Sequence, residues 1–470
     1  MTNGKIKSII FVRKLNEIWC FFMAKKTFDM TNGPFLKKIL IFALPLMATG
    51  LLQLLYNSAD TAIVGKFAGS QALAAVGSTG SLINLIINVF IGLSMGSGVM
   101  VARHIGAGDK KRISKSVHTA MLLGLVSGII VAFIGFFLSG TFLKLMNVED
   151  DVLELSTLYL KIYFMGAPGS LVYNFGASIL RASGDTKRPL YILSASGIVN
   201  VVLNLILVIP FKMSVAGVAI ATIVSQYMTA IIVVICLLRT SSVLKLSVKK
   251  LRFDGLELKC IIRIGVPAGL QSSLFSISNV IIQSAVNSFG PVAMAGIAAG
   301  SQYDGYIFTC TNAIAQTTMT FTSQNIGAAK YQNINKVYRY CFIVASVISI
   351  VLSAAGFFFR DEIVWLFAKE PEVIALGAER LALVIPFYIF CSLQDVCAGQ
   401  VRGMGKSIEP MILSLFGTCV IRLMWIFLIL PEGHSLMDIY WAYPISWFAT
   451  FVLLNILYFI KLKKMLKQKA

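Results

Sequence analysis

Asp60 stands in apolar sequence, within Tyr56-Asn57-Ser58-Ala59-Asp60-Thr61. A carboxylate in such surroundings is costly, and by default it marks a functional position. Two polar pairs occupy comparable settings. Asn200 and Asn204 are spaced i, i+4, as are Thr222 and Gln226, and that spacing puts each pair on one face of a helix. Asp60, Asn200, Asn204 and Thr222 together offer one carboxylate, two amide oxygens and a hydroxyl. Hard oxygens of this kind suit a small cation such as sodium, for which Asp60, Asn200 and Asn204 are the expected ligands. The same aspartate can instead carry a proton, because removal from water favours the neutral form of a carboxyl group. No other cofactor is implied.

The elements that must hold these groups are long apolar helices. Of 470 residues, 57% are hydrophobic and only 13% charged, where a soluble chain carries roughly a quarter charged residues. Apolar stretches long enough to cross a bilayer recur twelve times. They lie near 36–62, 71–102, 113–138, 152–180, 189–210 and 214–238, then 259–288, 293–324, 335–358, 373–400, 408–430 and 438–460. Asp60 falls in the first, the asparagine pair in the fifth, and Thr222 with Gln226 in the sixth.

The second half of the chain repeats the first. Ile105-Gly106-Ala107-Gly108 returns 221 positions later as Ile326-Gly327-Ala328-Ala329. The same offset carries Arg181, Gly184, Pro189 and Pro210 onto Arg402, Gly405, Pro410 and Pro431; with a one-residue slip, Pro45 and Asn57 match Pro267 and Asn279. One register held across so many landmarks is duplication. Duplicated halves in a membrane usually face each other around a pathway that opens alternately to each side, so the pattern implies a carrier. The expected fold is an all-α membrane protein with twelve transmembrane helices in two pseudo-twofold-related six-helix bundles. Residues 35–239 and 259–460 form the bundles, with a segment 1–34, a linker 240–258 and a basic tail 461–470. Pro45, Pro168, Pro267 and Pro386 fall within spans, where a missing backbone bond permits bending. A monomer is expected.

Net charge is +20, but its placement argues against a nucleic-acid partner. Arg103, Lys110, Lys111 and Arg112 follow the second span, Lys187 and Arg188 the fourth, Lys245, Lys249 and Lys250 the sixth, and Lys330 and Lys336 the eighth. Acids fill the alternate loops, as at Glu149, Asp150, Asp151, Asp361, Glu362, Glu432 and Asp438. Lysine and arginine are retained in the cytoplasm. Both termini and the linker are therefore expected there, in a multi-pass protein of a plasma membrane, with a bacterial inner membrane the best match. The basic excess also attracts anionic lipid. Upstream, the runs Ile9 to Val12 and Ile18 to Met23 are too interrupted to span, and no small-residue cleavage site follows them. Synthesis starting at Met23 or Met30 fits this segment better. Eight cysteines without metal-ligand spacing read as packing residues, and His104, His118 and His434 are too scattered for a metal site.

The second half carries its own polar residues: Asp304 in the eighth span, Asp395 beside Gln394 in the tenth, and Arg422 in the eleventh. Buried charges need partners, so Asp395 and Arg422 are expected to pair. Asp304, Asp395, Gln226 and Tyr303 are the expected cavity residues, where acids attract organic cations. Met95, Met100, Phe275, Tyr306, Phe308 and Met319 would add the pliable apolar surface that greasy, variably shaped ligands need.

Two motifs invite other readings. Gly92-Leu93-Ser94-Met95-Gly96 matches the serine-hydrolase elbow, which requires a strand-to-helix turn with acid and histidine partners. Mid-span, small residues at this spacing instead let helices approach closely. Gly403-Met404-Gly405-Lys406-Ser407 imitates the end of a phosphate loop, yet Gln400 stands where the first glycine belongs. No clustered set of catalytic groups points to an enzyme, and duplicated halves with one asymmetric acid suit a carrier better than a channel.

With these residues the chain resembles the multidrug and toxic compound extrusion (MATE) family, over roughly 35–460. The likeness rests on Pro45 to Asp60 with Asp60-Thr61-x-x-x-Gly65, on Gly106-Ala107-Gly108-Asp109 and its partner at 326–329, on Arg181-Ala182-x-Gly184-Asp185 with Pro189, and on Asn200-x-x-x-Asn204. It implies two lobes around a V-shaped cavity, exporting organic cations or amphipathic drugs in exchange for inward-moving sodium or protons. The resemblance makes Asp60 the coupling acid, Asn200 the fifth-span asparagine of the same N-lobe site and Thr222 its sixth-span threonine. Asn204 departs, since many relatives have aspartate there. The seventh span lacks the acid of a C-lobe sodium site, and Asp395 sits about one turn from the expected place. The N-lobe site is the better candidate. A flippase for lipid-linked oligosaccharide precursors would share the architecture, but it calls for cavity arginines or lysines to hold pyrophosphate, and mid-span positions of the first repeat show almost none.

Overall fold

The structure, a computed structural model, describes residues 28–146, 148–287, 289–429 and 435–467. Among them are helices and connections but no strand. The first repeat comprises α1 (Phe35–Phe67), α2 (Ser70–Gly106), α3 (Lys110–Leu145), α4 (Asp150–Met165), α5 (Ala167–Ala182), α6 (Lys187–Val208) and α7 (Ser214–Arg239). The second comprises α8 (Gly255–Asn287), α9 (Pro291–Gly327), α10 (Gln332–Phe358), α11 (Arg360–Trp365), α12 (Pro371–Val384) and α13 (Tyr388–Gly403). It continues with α14 (Ile408–Ser414), a π-helical turn at Leu415–Val420, α15 (Ile421–Ile429), α16 (Leu436–Tyr440) and α17 (Ala442–Lys467). The expectations for residues 1–27 and for Pro431, Glu432 and His434 fall outside the described residues.

Nine described helical segments are long and apolar enough to cross a membrane. Three more crossings complete the twelve. α8 and α9, with 33 and 37 residues, have the length but carry more serine, threonine and glutamine. The fourth span is two 16-residue helices, α4 and α5, meeting at Gly166. Pro168 in the first turn of α5 has no N–H to continue the ladder of α4. Pro386 breaks the tenth span in the same way, through a 3-10 turn at Ile385–Phe387. Pro45 and Pro267, by contrast, lie inside unbroken helices. Phe137, Ile350 and Phe427 stand exposed on outer faces, the surface a bilayer covers.

The helices meet at glycines. Side chains added at Gly92 and Gly96 of α2 would overlap the backbone of α8 at Gly265 and Gly269, and the converse holds for Gly265 and Gly269. The elbow-like motif is therefore a packing seam. At this end of the molecule the hydrophobic cores do not divide at the repeat boundary. Phe35, Ile39, Phe42 and Leu46 of α1 are buried with Phe321, Val337 and Leu454 of the second repeat, while Ile261 and Ile264 of α8 are buried with α2 and α3 of the first. Each repeat thus lends the start of its first helix to the other.

Loops after α2, α5, α7, α9 and α13 all lie at this same end, because successive crossings alternate; it is the basic end. Two hydrogen bonds close it symmetrically. Arg103 Nη2 donates to the Gly403 carbonyl (3.3 Å) and Gln324 Nε2 to that of Ala182 (2.7 Å). Donors and acceptors in the two bonds are related by the repeat offset of 221 residues, as a pseudo-twofold axis requires. Toward the opposite end, Gly77 and Gly80 of α2 and Gly305 of α9 have open space where a Cβ would point. At Gly305 that open space belongs to the cleft between the halves, which is therefore not closed there as it is at the basic end.

Candidate functional site

A cavity of about 660 Å³ is lined by α1, α2 and α4 to α7 of the first repeat together with α9. That volume lies in the range of small-molecule sites, roughly 300–1,000 Å³. Asp60 lines it, seven residues before the end of α1. α1 comes close to α6 because Gly197 has no side chain to collide with the Tyr56 ring, and the Tyr56 hydroxyl donates to the Ser194 carbonyl at 3.3 Å. That approach brings the asparagine pair to the acid. Asn204 Nδ2 donates to Asp60 Oδ1, and also faces Asn200 Oδ1 at 3.4 Å. Asn204 is fully enclosed, while Asn200 reaches the cavity wall.

Thr222 and Gln226 of α7 complete the wall. The Thr222 hydroxyl donates to the Val218 carbonyl at 2.9 Å, so its lone pairs remain as acceptors. Two enclosed amide oxygens, Asn204 Oδ1 and Gln226 Oε1, have no hydrogen-bond partner. An enclosed, unpaired acceptor is costly, and both oxygens stand in the helices that surround Asp60. Gly166 allows Gln226 its position, since a Cβ there would strike Oε1. The site thus presents a carboxylate with acceptor oxygens to spare, an arrangement able to take a cation.

The second-repeat expectations fare differently. Asp304 is not on the cavity wall, although its neighbour Gly305 is. It is engaged by Arg380 of α12, a guanidinium only 2% exposed, while the Tyr388 hydroxyl donates to the Asp304 carbonyl at 3.1 Å. With its charge matched inside the lobe, Asp304 does not offer a free carboxylate to the cavity. Tyr303 packs its ring against Gly356 and donates to the Leu352 carbonyl at 2.8 Å, within the second repeat. Asp395 is also absent from the wall. Its expected partner Arg422 turns instead to Asn279 Oδ1 (2.9 Å) and the Ser446 hydroxyl (3.3 Å), with the Tyr443 ring 4.5 Å away. Of the cavity residues expected from sequence, Gln226 alone lines it; Met95, Phe308 and Met319 supply apolar wall.

Two arginines were missed by sequence reasoning. Arg380 lies inside the tenth span, and a lone guanidinium there is itself a signal that an acid must be near. In the sequence Arg181 stands out only as a repeat landmark and as part of the motif shared with the resembled family. It stands one residue from the end of α5 and lines the cavity at the basic end.

Comparison with known proteins agrees with this architecture. The MatE family model matches twice, at residues 45–206 and 267–428, starting from the proline that opens each repeat register. The probable multidrug resistance protein YpnP of Bacillus subtilis is 27% identical, over 84% of this chain and 89% of that protein. The probable multidrug resistance protein NorM of Thermotoga maritima is 24% identical, over 82% and 84%. A solved outward-facing multidrug resistance MATE family transporter superposes with a TM-score of 0.88 at 22% identity, covering 94% of this chain and 99% of that one. The doubled family match and the two-lobed twelve-helix bundle give one answer: the chain belongs to the MatE family, the multidrug and toxic compound extrusion efflux transporters.

Proposed function

We propose that this transporter exports organic cations or amphipathic drugs by alternating access, driven by sodium ions or protons that enter through Asp60. The observation that carries the reading is the Asp60 carboxylate on the cavity wall, held by Asn204, whose own amide oxygen is left unpaired. Sodium would find its oxygens in Asp60, Asn200, Asn204 and Thr222; a proton needs only Asp60. Positive residues retained inside make the basic end cytoplasmic, so a cleft sealed there and not closed toward the other end corresponds to the releasing state.

A coupling ion drives transport only by binding the two states unequally. α1 is the element that transmits this difference, since its acidic-end half holds Asp60 against α6 and its basic-end half is packed into the second repeat. An ion that alters the Asp60 contact therefore bears on the helix that joins the two lobes. Multidrug relatives favour this cargo over lipid-linked oligosaccharides. The test is export of a fluorescent organic cation from proteoliposomes under a sodium gradient and a proton gradient imposed separately. Export under at least one gradient is expected; export indifferent to both would reject ion coupling.

A further inference from the structure

We propose that Arg181 makes the basic end of the cavity a receptor for a carboxylate, or a similar oxyanion, on the exported molecule. The inference rests on the efflux reading and adds a second recognition element to it.

Other arginines enclosed among the helices do not line the cavity: Arg103 donates to the Gly403 carbonyl and Arg402 to Gln271, each with an Nε that likewise lacks a partner. Arg380 meets Asp304, and Arg422 is held by Asn279, Ser446 and the Tyr443 ring. Arg181 is different. It sits deep among helices yet keeps solvent-accessible surface, because it faces the cavity along with Gly98, Ser178, Gln316 and Met319. Its Nη1 donates to the neutral Gln316 Oε1 at 3.2 Å, and its Nε has no partner. Among the described residues no carboxylate forms an ion pair with it. The nearest acid in sequence, Asp185, is taken by Arg188 at 2.9 Å. Its repeat counterpart Arg402 donates to Gln271 and is not on the cavity wall, so the feature belongs to one lobe only.

Asp60 does not neutralise Arg181 either. Arg181 lies near the level where α6 begins, and the asparagines that flank Asp60 are well along α6. At 1.5 Å per residue the two charges are roughly 20 Å apart, far beyond the reach of an ion pair. The cavity is therefore polarised along its axis, with a guanidinium at the closed end and an acid toward the opposite one. A guanidinium presents several donors in a planar fork that suits a carboxylate. The fitting cargo is an elongated amphiphile with an oxyanion at its leading end.

Binding of two rhodamines to the full chain in detergent tests this: one with a free benzoate, the other its methyl ester. Fluorescence anisotropy gives both dissociation constants. Arg181→Gln is expected to weaken binding of the free acid about tenfold or more, the effect of losing a charge-assisted contact, with the ester changed by less than about threefold. Arg181→Lys should retain part of the preference. The ester serves as the control for folding. Equal weakening of both dyes, or no change for the acid, would overturn the subsite and leave the efflux reading standing. If wild-type protein binds neither dye, the drug cavity itself is rejected, and the subsite with it.

Discussion

Gly106 and Gly327 lie back to back across the pseudo-twofold axis. A side chain on Gly106 would strike the Gln324 carbonyl, and one on Gly327 would strike the Arg103 carbonyl; each struck residue is the repeat counterpart of the other. The basic end is closed by backbone touching backbone, and only glycine permits it.

A side chain at either position should therefore penalise the closed basic end. Overpacking of about 2–3 kcal/mol, felt by that state alone, would shift the population by roughly 30- to 150-fold. With Gly327→Val in a cysteine-free background, a Met319→Cys reporter is expected to react with an impermeant maleimide from the basic side. In the parent it should stay protected. Unchanged protection would mean the helices part without opening the cavity.

Asp60→Asn retains an oxygen able to accept from Asn204, so stability should change by no more than about 1 kcal/mol. Gradient-driven export should fall about tenfold or more, because the neutral amide takes up no proton and lacks the negative charge that would hold sodium. Thermal denaturation and proteoliposome flux measured on one preparation separate the two effects. Flux equal to wild type would remove Asp60 from the coupling role.

The Asp304–Arg380 pair is an internal brace rather than a cargo contact. Breaking a buried pair from one side typically costs about 3–5 kcal/mol, while apolar replacement of both partners is often near neutral. Asp304→Asn and Arg380→Met alone should each lower the melting temperature. The double variant Asp304→Leu with Arg380→Met should recover most of the loss. A double variant no better than the worse single one would show that the two charges act independently.

The linker is strapped to the first lobe. Ser247 N donates to His118 Nε2 and Asp254 N to Thr119 Oγ1, both at 3.0 Å, and Lys115 meets Asp254 at 2.7 Å. Lys115, then the Glu257 N–H, hold the Asp254 carboxyl below its usual value of 3.8. A depressed carboxyl contributes stability above its unfolded value and loses it as pH falls through the folded one. The contribution of Asp254 to protection of the linker should thus be the same at pH 7 and pH 5, both of which lie above that window. Asp254→Asn should be cut faster at both. Salt should narrow the difference, since the pair is partly exposed.

Twelve apolar spans, their duplication and the segregation of basic loops could be read from the chain, because hydropathy and repeat register are counted along it. The first-repeat polar set was also legible: i, i+4 spacing puts Asn200 and Asn204 on one helix face, and a lone acid in an apolar helix needs company. Which residues of different helices meet was not legible. Successive side chains on a helix point about 100° apart, so Gly305 lines the cavity while Asp304, one step away, turns to Arg380. The same rotation gave Arg422 to Asn279 instead of Asp395, and turned Arg181 toward open space. Sequence alone determined the duplicated membrane bundle and the acid of its first span. The tertiary structure decided which charges are matched and which face the cavity, because pairing depends on helix rotation and on glycine-permitted approach, neither of which is written in local order.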